Sequence, residues 1–215
     1  MNNVEIKICG IKSEEAIIAA SKYQCVKYLG FVTYNKSKRH LTIEQAKRLT
    51  NLVPKNINRV AVLVGIPSDE FIFKTKNMYD AFQIYSASPP QIQQLKLVSE
   101  KKIIVAIKAK DQKTVNLYRQ FVGIADDFLF DGSSSYGTSS SFNWNYLKNV
   151  KNSFFLAGGI GISNVEQALK VSSRVDISSK LEEPEGIKSV IKIKEFLLKV
   201  KEINENRTVQ GNQSS

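Results

Sequence analysis

The chain has one histidine, two cysteines and one tryptophan in 215 residues, and it is short of acids. A lone histidine, His40, argues against a histidine-built zinc site and against a serine–histidine relay. Cys9 and Cys25, both in strand-like stretches, are too few for a disulfide framework. They fit a reducing compartment, so a cytoplasmic protein is expected. No apolar run approaches the ~18 residues of a membrane span. Asn2, Asn3, Glu5 and Lys7 break up any apolar stretch at the N-terminus, so neither a secretion signal nor a membrane partner is expected. Against 20 Asp and Glu stand 31 Lys and Arg, a formal charge of +11. That excess attracts anions. The lysines are spread along helix-like segments with no interleaved aromatics. The field therefore suits a phosphorylated or carboxylated small substrate better than a nucleic acid. At this length one domain with a closed core is expected.

Two textures alternate along the chain. Apolar, β-rich runs fall at about residues 4–9, 26–32, 57–64, 80–85, 101–107, 126–131, 153–157 and 174–178. Helical spacing fills the gaps. Ser13 before Glu14 and Glu15 reads as a helix start, and so does Ser88 before Pro89 and Pro90. Thr42 to Gln45 and Ser163 to Glu166 read as capping boxes. The last helix is expected from Ile187 to Lys201, and 204–215 reads as a flexible polar C-terminal tail. Eight strands alternating with helices predict an α/β fold with a parallel sheet. Closed on itself, that sheet is a compact, single-domain (β/α)8 or TIM barrel over residues 1–203. An open doubly wound sheet would carry a glycine-rich turn after the first strand; only Gly10 follows here. Parity agrees with the barrel. Ile6 and Ile8 alternate with Lys7 and Cys9, Phe82 and Ile84 with Gln83 and Tyr85, Phe128 and Phe130 with Leu129 and Asp131. The inward face is thus polar near the carboxyl ends of several strands, where barrel enzymes keep their chemistry.

Cys9 ends the first strand, with Lys7 on the same face. A buried cysteine is usually a small hydrophobe. A neighbouring ammonium would instead favour its thiolate. Asp131 ends the sixth strand before Gly132, where a carboxylate either caps a loop or serves as a general acid. Asp126 and Asp127 are expected to be exposed at the strand entrance. Gly158 and Gly159 follow the seventh strand; Asp176, Ser178 and Ser179 close the eighth. Glycines allow close backbone approach and serines add donors, so the two segments read as an anion cradle. Arg39 lies in the basic loop from Lys36 to His40, either simply solvated or placed to clamp a carboxylate. The serine-rich stretch from Ser133 to Ser141 is either a connector or a lid.

These residues, in this order, resemble phosphoribosylanthranilate isomerase of tryptophan biosynthesis. The pieces are Lys7-Ile8-Cys9-Gly10-Ile11, Leu29-Gly30-Phe31-Val32, Lys36-Ser37 with Arg39, Leu156-Ala157-Gly158-Gly159 and Asp176-Ile177-Ser178-Ser179. The resemblance spans about residues 4–200. It implies Cys9 as general base and Asp131 as general acid. It implies Arg39 on the anthranilate carboxylate, Gly158, Gly159, Ser178 and Ser179 around the phosphate, and Asp176 near the substrate's amine. The reaction implied is an Amadori rearrangement without metal or organic cofactor, in a monomer or homodimer.

The chain also departs from the family pattern. Gln83-Ile84-Tyr85-Ser86 stands where the family has Gln-Leu-His-Gly, and Tyr136-Gly137-Thr138-Ser139 where it has Gly-Gly-Thr-Gly. Lys38 replaces the proline before the arginine, and Lys180 a glycine after the serine pair. The alternatives are a retuned or non-catalytic barrel that binds a related sugar phosphate, a sister isomerase with two aspartates, and a basic nucleic-acid-binding protein.

Overall fold

The computed structural model describes residues 4–132 and 142–213. Eight parallel strands close into a barrel in chain order. They are β1 (Glu5–Cys9), β2 (Val26–Val32), β3 (Asn58–Val64), β4 (Ala81–Tyr85), β5 (Lys102–Lys108), β6 (Asp127–Asp131), β7 (Phe154–Ala157) and β8 (Arg174–Ile177). Seven α-helices occur among the described residues: α1 (Glu14–Ser21), α2 (Ile43–Thr50), α3 (Asp69–Thr75), α4 (Pro89–Ser99), α5 (Gln112–Asn116), α6 (Val165–Val171) and α7 (Val190–Gln213). Between β6 and β7 the described chain forms only a 3-10 turn at Trp144–Leu147. No helix among the described residues is long and apolar enough to cross a membrane. The stretch read as a connector or a lid, 133–141, lies outside the described residues.

The alternation seen in the sequence divides the molecule into two apolar layers. Ile6, Ile8, Phe82, Ile84, Phe128, Phe130 and Ile177 belong to the cluster between sheet and helices. Val60, Val62, Ile104, Leu129 and Phe155 form a second cluster inside the barrel with Cys9, Tyr85 and Ala157. Strand residues pointing to opposite faces produce this separation directly.

The expected caps mostly form. Ser13 Oγ accepts from Ala16 N, and Thr42 and Gln45 exchange both bonds of a capping box. Pro89 and Pro90 occupy the first turn of α4, whose Ser88 N donates to Gln91 Oε1. The box expected at Ser163 does not form: α6 is capped by Asn164, without a side-chain cap bond. Asn164 is committed elsewhere. Its Oδ1 accepts from Gly161 N at 2.8 Å and its Nδ2 donates to Gly159 O at 3.2 Å, so it braces the glycine loop after β7.

The last helix also differs. It starts at Val190 because Lys188 is drawn into a bridge with Glu182 and the chain turns at Pro184 to Ile187. It then passes through Asn204, the expected start of the tail, and reaches Gln213. Ile203 is buried and Lys201 pairs with Glu205 one turn on, so polarity alone is no stop signal here. Asp126 and Asp127 do sit at the entrance of β6, but both are engaged. Asp126 binds Lys96 and the Ile103 amide, and Asp127 binds Arg174.

Candidate active site

The strand ends set the site. Cys9 on β1 is in register with Gly30 on β2. A Cβ at Gly30 would lie 3.1 Å from both Cys9 Cα and Cys9 Sγ and 3.2 Å from Lys7 Nζ. Only glycine lets the thiol and the ammonium stand side by side against β2, which explains the Leu29-Gly30-Phe31 stretch. Lys7 is fully buried, and its Nζ donates to Asp176 Oδ1 at 2.7 Å across the β1–β8 pairing. Burial alone would push the Lys7 ammonium down, but Asp176 and Cys9 outweigh it and hold it above its ordinary value. For Cys9 the balance runs the other way. Burial pushes the thiol up, and the pull of Lys7, Lys188 and Arg39 does not cancel it. The expected thiolate-promoting ammonium is therefore present, but burial prevails. Asp176 is raised by burial against the pull of Lys7, with Asp131 adding to the rise.

At the end of β6, Asp131 Oδ2 accepts from Tyr85 Oη at 3.1 Å. Gln83 Nε2 approaches the same phenol oxygen at 3.4 Å. Burial, with Asp131 and Cys9 close by, holds the Tyr85 phenol well above its ordinary value. The departure from the family's Gln-Leu-His-Gly thus puts a protonated phenol against the proposed acid.

Arg39 is not solvated like its loop neighbours: it is 5% exposed, while Lys36 and Lys38 are open to solvent. Its Nε and Nη2 donate to Glu182 Oε1 and Oε2 at 2.6 and 2.7 Å. Lys188 Nζ joins Oε1 at 2.6 Å and Gly186 N joins Oε2 at 2.8 Å. Burial pulls the Glu182 carboxyl up, but Arg39, Lys188 and the Gly186 amide bring it down to about 2. Burial lowers Lys188 from the ordinary lysine value.

Gly158 and Gly159 both have positive φ, 94° and 66°, a turn that favours glycine over any other residue. Ser178 Oγ donates to Cys9 O at 2.9 Å, tying the end of β8 to the end of β1 and occupying that hydroxyl proton. Ser179 opens a 3-10 turn at Ser179–Leu181. Lys180 is exposed, and its stem lies over Gly161, where a Cβ would come within 3.2 Å of it.

One cavity at this end of the barrel is lined by Cys9, Arg39, Asp131, Gly158, Gly159, Asp176, Ser178 and Ser179, and also by Ser37 and Tyr85. It brings together every site residue expected from the sequence. Glu182, Lys188 and Asn164 were not expected. Glu182 meets Arg39 across a sequence separation of 143, and no local pattern announces such a partner. Among the described residues no group of three or more His, Cys, Asp and Glu side chains could hold a metal ion.

The class follows from this arrangement: a (β/α)8 barrel with candidate acid–base and anion-binding residues together at the carboxyl ends of its strands. Comparison with known proteins gives the family. The model of the N-(5'phosphoribosyl)anthranilate (PRA) isomerase family matches residues 6–199, and the chain belongs to that family. It is 34% identical over 208 residues to the N-(5'-phosphoribosyl)anthranilate isomerase of Clostridium acetobutylicum, covering 92% of this chain and 98% of that one. The Staphylococcus haemolyticus enzyme of the same name is 36% identical over 207 residues, 91% of this chain and 98% of its own. Among solved structures, phosphoribosyl anthranilate isomerase from Thermotoga maritima superposes with a TM-score of 0.80 at 26% identity, covering 93% and 99% of the two chains. A phosphoribosyl anthranilate isomerase in complex with reduced 1-(o-carboxyphenylamino)-1-deoxyribulose 5-phosphate gives 0.78 at 26% identity, with the same 93% and 99% coverage.

Proposed function

We propose that the chain is a phosphoribosylanthranilate isomerase of tryptophan biosynthesis. It converts N-(5-phosphoribosyl)anthranilate to 1-(o-carboxyphenylamino)-1-deoxyribulose 5-phosphate by an Amadori rearrangement. The observation that carries this is the convergence of Cys9, Asp131, Arg39 and the two halves of the anion cradle on one cavity. Asp131 protonates the furanose ring oxygen as the C1–O bond breaks, and the nitrogen lone pair forms a Schiff base. Cys9 removes the proton from ribose C2, and those electrons neutralise the nitrogen in an enolamine. Tautomerisation gives the ketose. The backbone amides of Gly158, Gly159 and Ser178, with Ser179, receive the phosphate, since the Ser178 hydroxyl is held by Cys9 O. Arg39 holds the anthranilate carboxylate, and Asp176 lies near the bridging amine. The reaction is an internal transfer of hydrogen and runs without metal or organic cofactor.

Two features of the site tune this chemistry. Cys9 must lose its proton to act as base, and burial holds the thiol above its ordinary value. The cations Lys7, Lys188 and Arg39 oppose that burial. Tyr85 fixes one oxygen of Asp131 by donating to Oδ2. All proposed site residues come from one chain, so a monomer and a homodimer serve equally, in the cytoplasm. The decisive experiment is direct assay with freshly generated phosphoribosylanthranilate, following loss of its fluorescence. Turnover is expected; tight binding of a product analogue with no turnover would make the protein a retuned sugar-phosphate barrel instead.

A further inference from the structure

The strongest-built contact at the cavity mouth is one that the proton transfers do not use. Glu182, 2% exposed at its side chain, accepts from Arg39 Nε and Nη2, from Lys188 Nζ and from Gly186 N. The two parallel bonds to Arg39 fix both the position and the roll of the guanidinium plane. Nη1 makes no hydrogen bond among the described residues, and Arg39 lines the cavity. Lys188 does not line it. Lys188 Nζ stands behind, 3.2 Å from the point where a Cβ on Gly10 would sit. Two cationic side chains therefore share one buried carboxylate, and the cluster is short of one negative charge.

The loop that carries Glu182 is held from outside as well. Lys38 pairs with Glu185. At Gly186, with φ at 89°, a Cβ would come within 2.9 Å of Lys38 O. The loop after β8 is thus pressed against the loop after β2, and Glu182 is its inward contact.

We propose that Glu182 is a positioning residue. It grips Arg39 through Nε and Nη2, with Lys188 on its other side, so that Nη1 is left for a carboxylate on the ligand. This rests on the assignment of Arg39 to the substrate carboxylate. The missing negative charge is then supplied by the ligand, and a ligand without a carboxylate leaves the cluster uncompensated.

The test compares two ligands, the reduced product analogue and its counterpart lacking the ring carboxylate, by titration calorimetry, together with steady-state kinetics. Glu182→Gln is expected to raise KM and the Kd of the carboxylated analogue on the order of tenfold, the scale of one charge-assisted hydrogen bond. Its kcat should stay within about threefold, and the Kd of the decarboxylated analogue should not move. Glu182→Gln leaves Lys188 short of its partner and is at risk of misfolding. The double variant Glu182→Gln/Lys188→Met removes that cation and gives the same readout. Arg39→Ala should erase the preference for the carboxylated analogue. If Arg39→Ala leaves that preference intact, the assignment of Arg39 fails and the positioning role goes with it. If Arg39→Ala erases it but both Glu182 variants keep it, the assignment stands and the positioning role is overturned. Equal weakening of both ligands by Glu182→Gln and by the double variant would make Glu182 a structural residue only.

Discussion

Adding one methyl group at Gly30 should damage both stability and turnover. The Cβ of Gly30→Ala would sit 3.1 Å from Cys9 Cα and Sγ and 3.2 Å from Lys7 Nζ. Carbon contacts relax at about 3.5–4.0 Å, so the neighbours must yield by a few tenths of an ångström, up to about half. None of the neighbours is free to do so. Cys9 Cα belongs to a strand paired in register with Gly30, and Lys7 is held by Asp176 at 2.7 Å. Overpacking of this kind costs about 1–3 kcal/mol. In a domain of this size that is a fall of several degrees in Tm, at about 2–4 °C per kcal/mol. Since a ~1 Å misplacement can cost ~10²-fold, a shift of the thiol by half as much should lower kcat by about tenfold. Gly161→Ala is the control. Its Cβ would also meet atoms at 3.2 Å, but they belong to the exposed, flexible stem of Lys180. That stem can swing aside, so the stability change should stay within about 0.5 kcal/mol. The assays are thermal unfolding and loss of substrate fluorescence. A Gly30→Ala protein as stable and as active as the parent would refute the packing argument and, with it, the placement of Cys9 beside Lys7.

Cys9→Ala and Asp131→Asn should each lose at least ~10²-fold in kcat while still binding a product analogue. Cys25→Ala, just before β2 at the opposite end of the barrel, should keep its turnover. Near-full activity in either site variant would remove its assigned role. Glu182 should contribute to acid stability. Its carboxyl falls from an ordinary value of 4.5 to about 2 in the fold, so its contribution is complete above the unfolded value and is lost as pH drops from 4.5 through about 2. Denaturant titrations across that window should show a shallower pH slope for Glu182→Gln; an unchanged slope would count against the buried network. Arg174→Leu should cost about 3–5 kcal/mol by stranding half-buried carboxylates. It should leave kcat and KM nearly unchanged, and a specific loss of kcat without a loss of stability would contradict that division.

The fold was legible because its signals are local. Alternation within β1, β4 and β6 tells which residues face the helices, and Ser13, Thr42 and Ser88 mark helix starts with hydroxyls next to the first turn. Cys9, Asp131, Gly158 and Ser178 could be found because strand ends are themselves local features, and a barrel brings all strand ends to one rim. What the sequence did not show depends on side chains chosen by distant partners. Asn164 could have capped α6 but binds the glycine loop instead. Glu182 and Lys188 look like an ordinary charged loop until Arg39 is placed beside them. The thiol of Cys9 depends on how burial balances three cations from three different loops and strands, and no spacing rule encodes that sum.

Charged groups are paired differently at the two ends of the barrel, and the difference bears on the proposed binding of an anionic substrate. At the floor, Arg174 Nε binds Glu5 at 2.9 Å and Nη1 binds Asp127 at 2.6 Å. Its guanidinium carbon lies 3.9 Å from the Phe155 ring centroid, and Nη2 donates to Tyr28 Oη. One cation there faces two carboxylates, and each of its three nitrogens and its face are engaged. At the mouth, Arg39 and Lys188 share only Glu182, while Lys7 and Asp176 cancel. The Arg39–Lys188–Glu182 cluster thus carries one net positive charge in low-dielectric surroundings where screening is weak. In the proposed function, the carboxylate of an anionic ligand meets that cluster at the end where the proposed cradle and the thiol lie. Once bound, its carboxylate completes a cluster that the protein alone leaves one charge short. In the proposed site, binding and positioning then use the same imbalance.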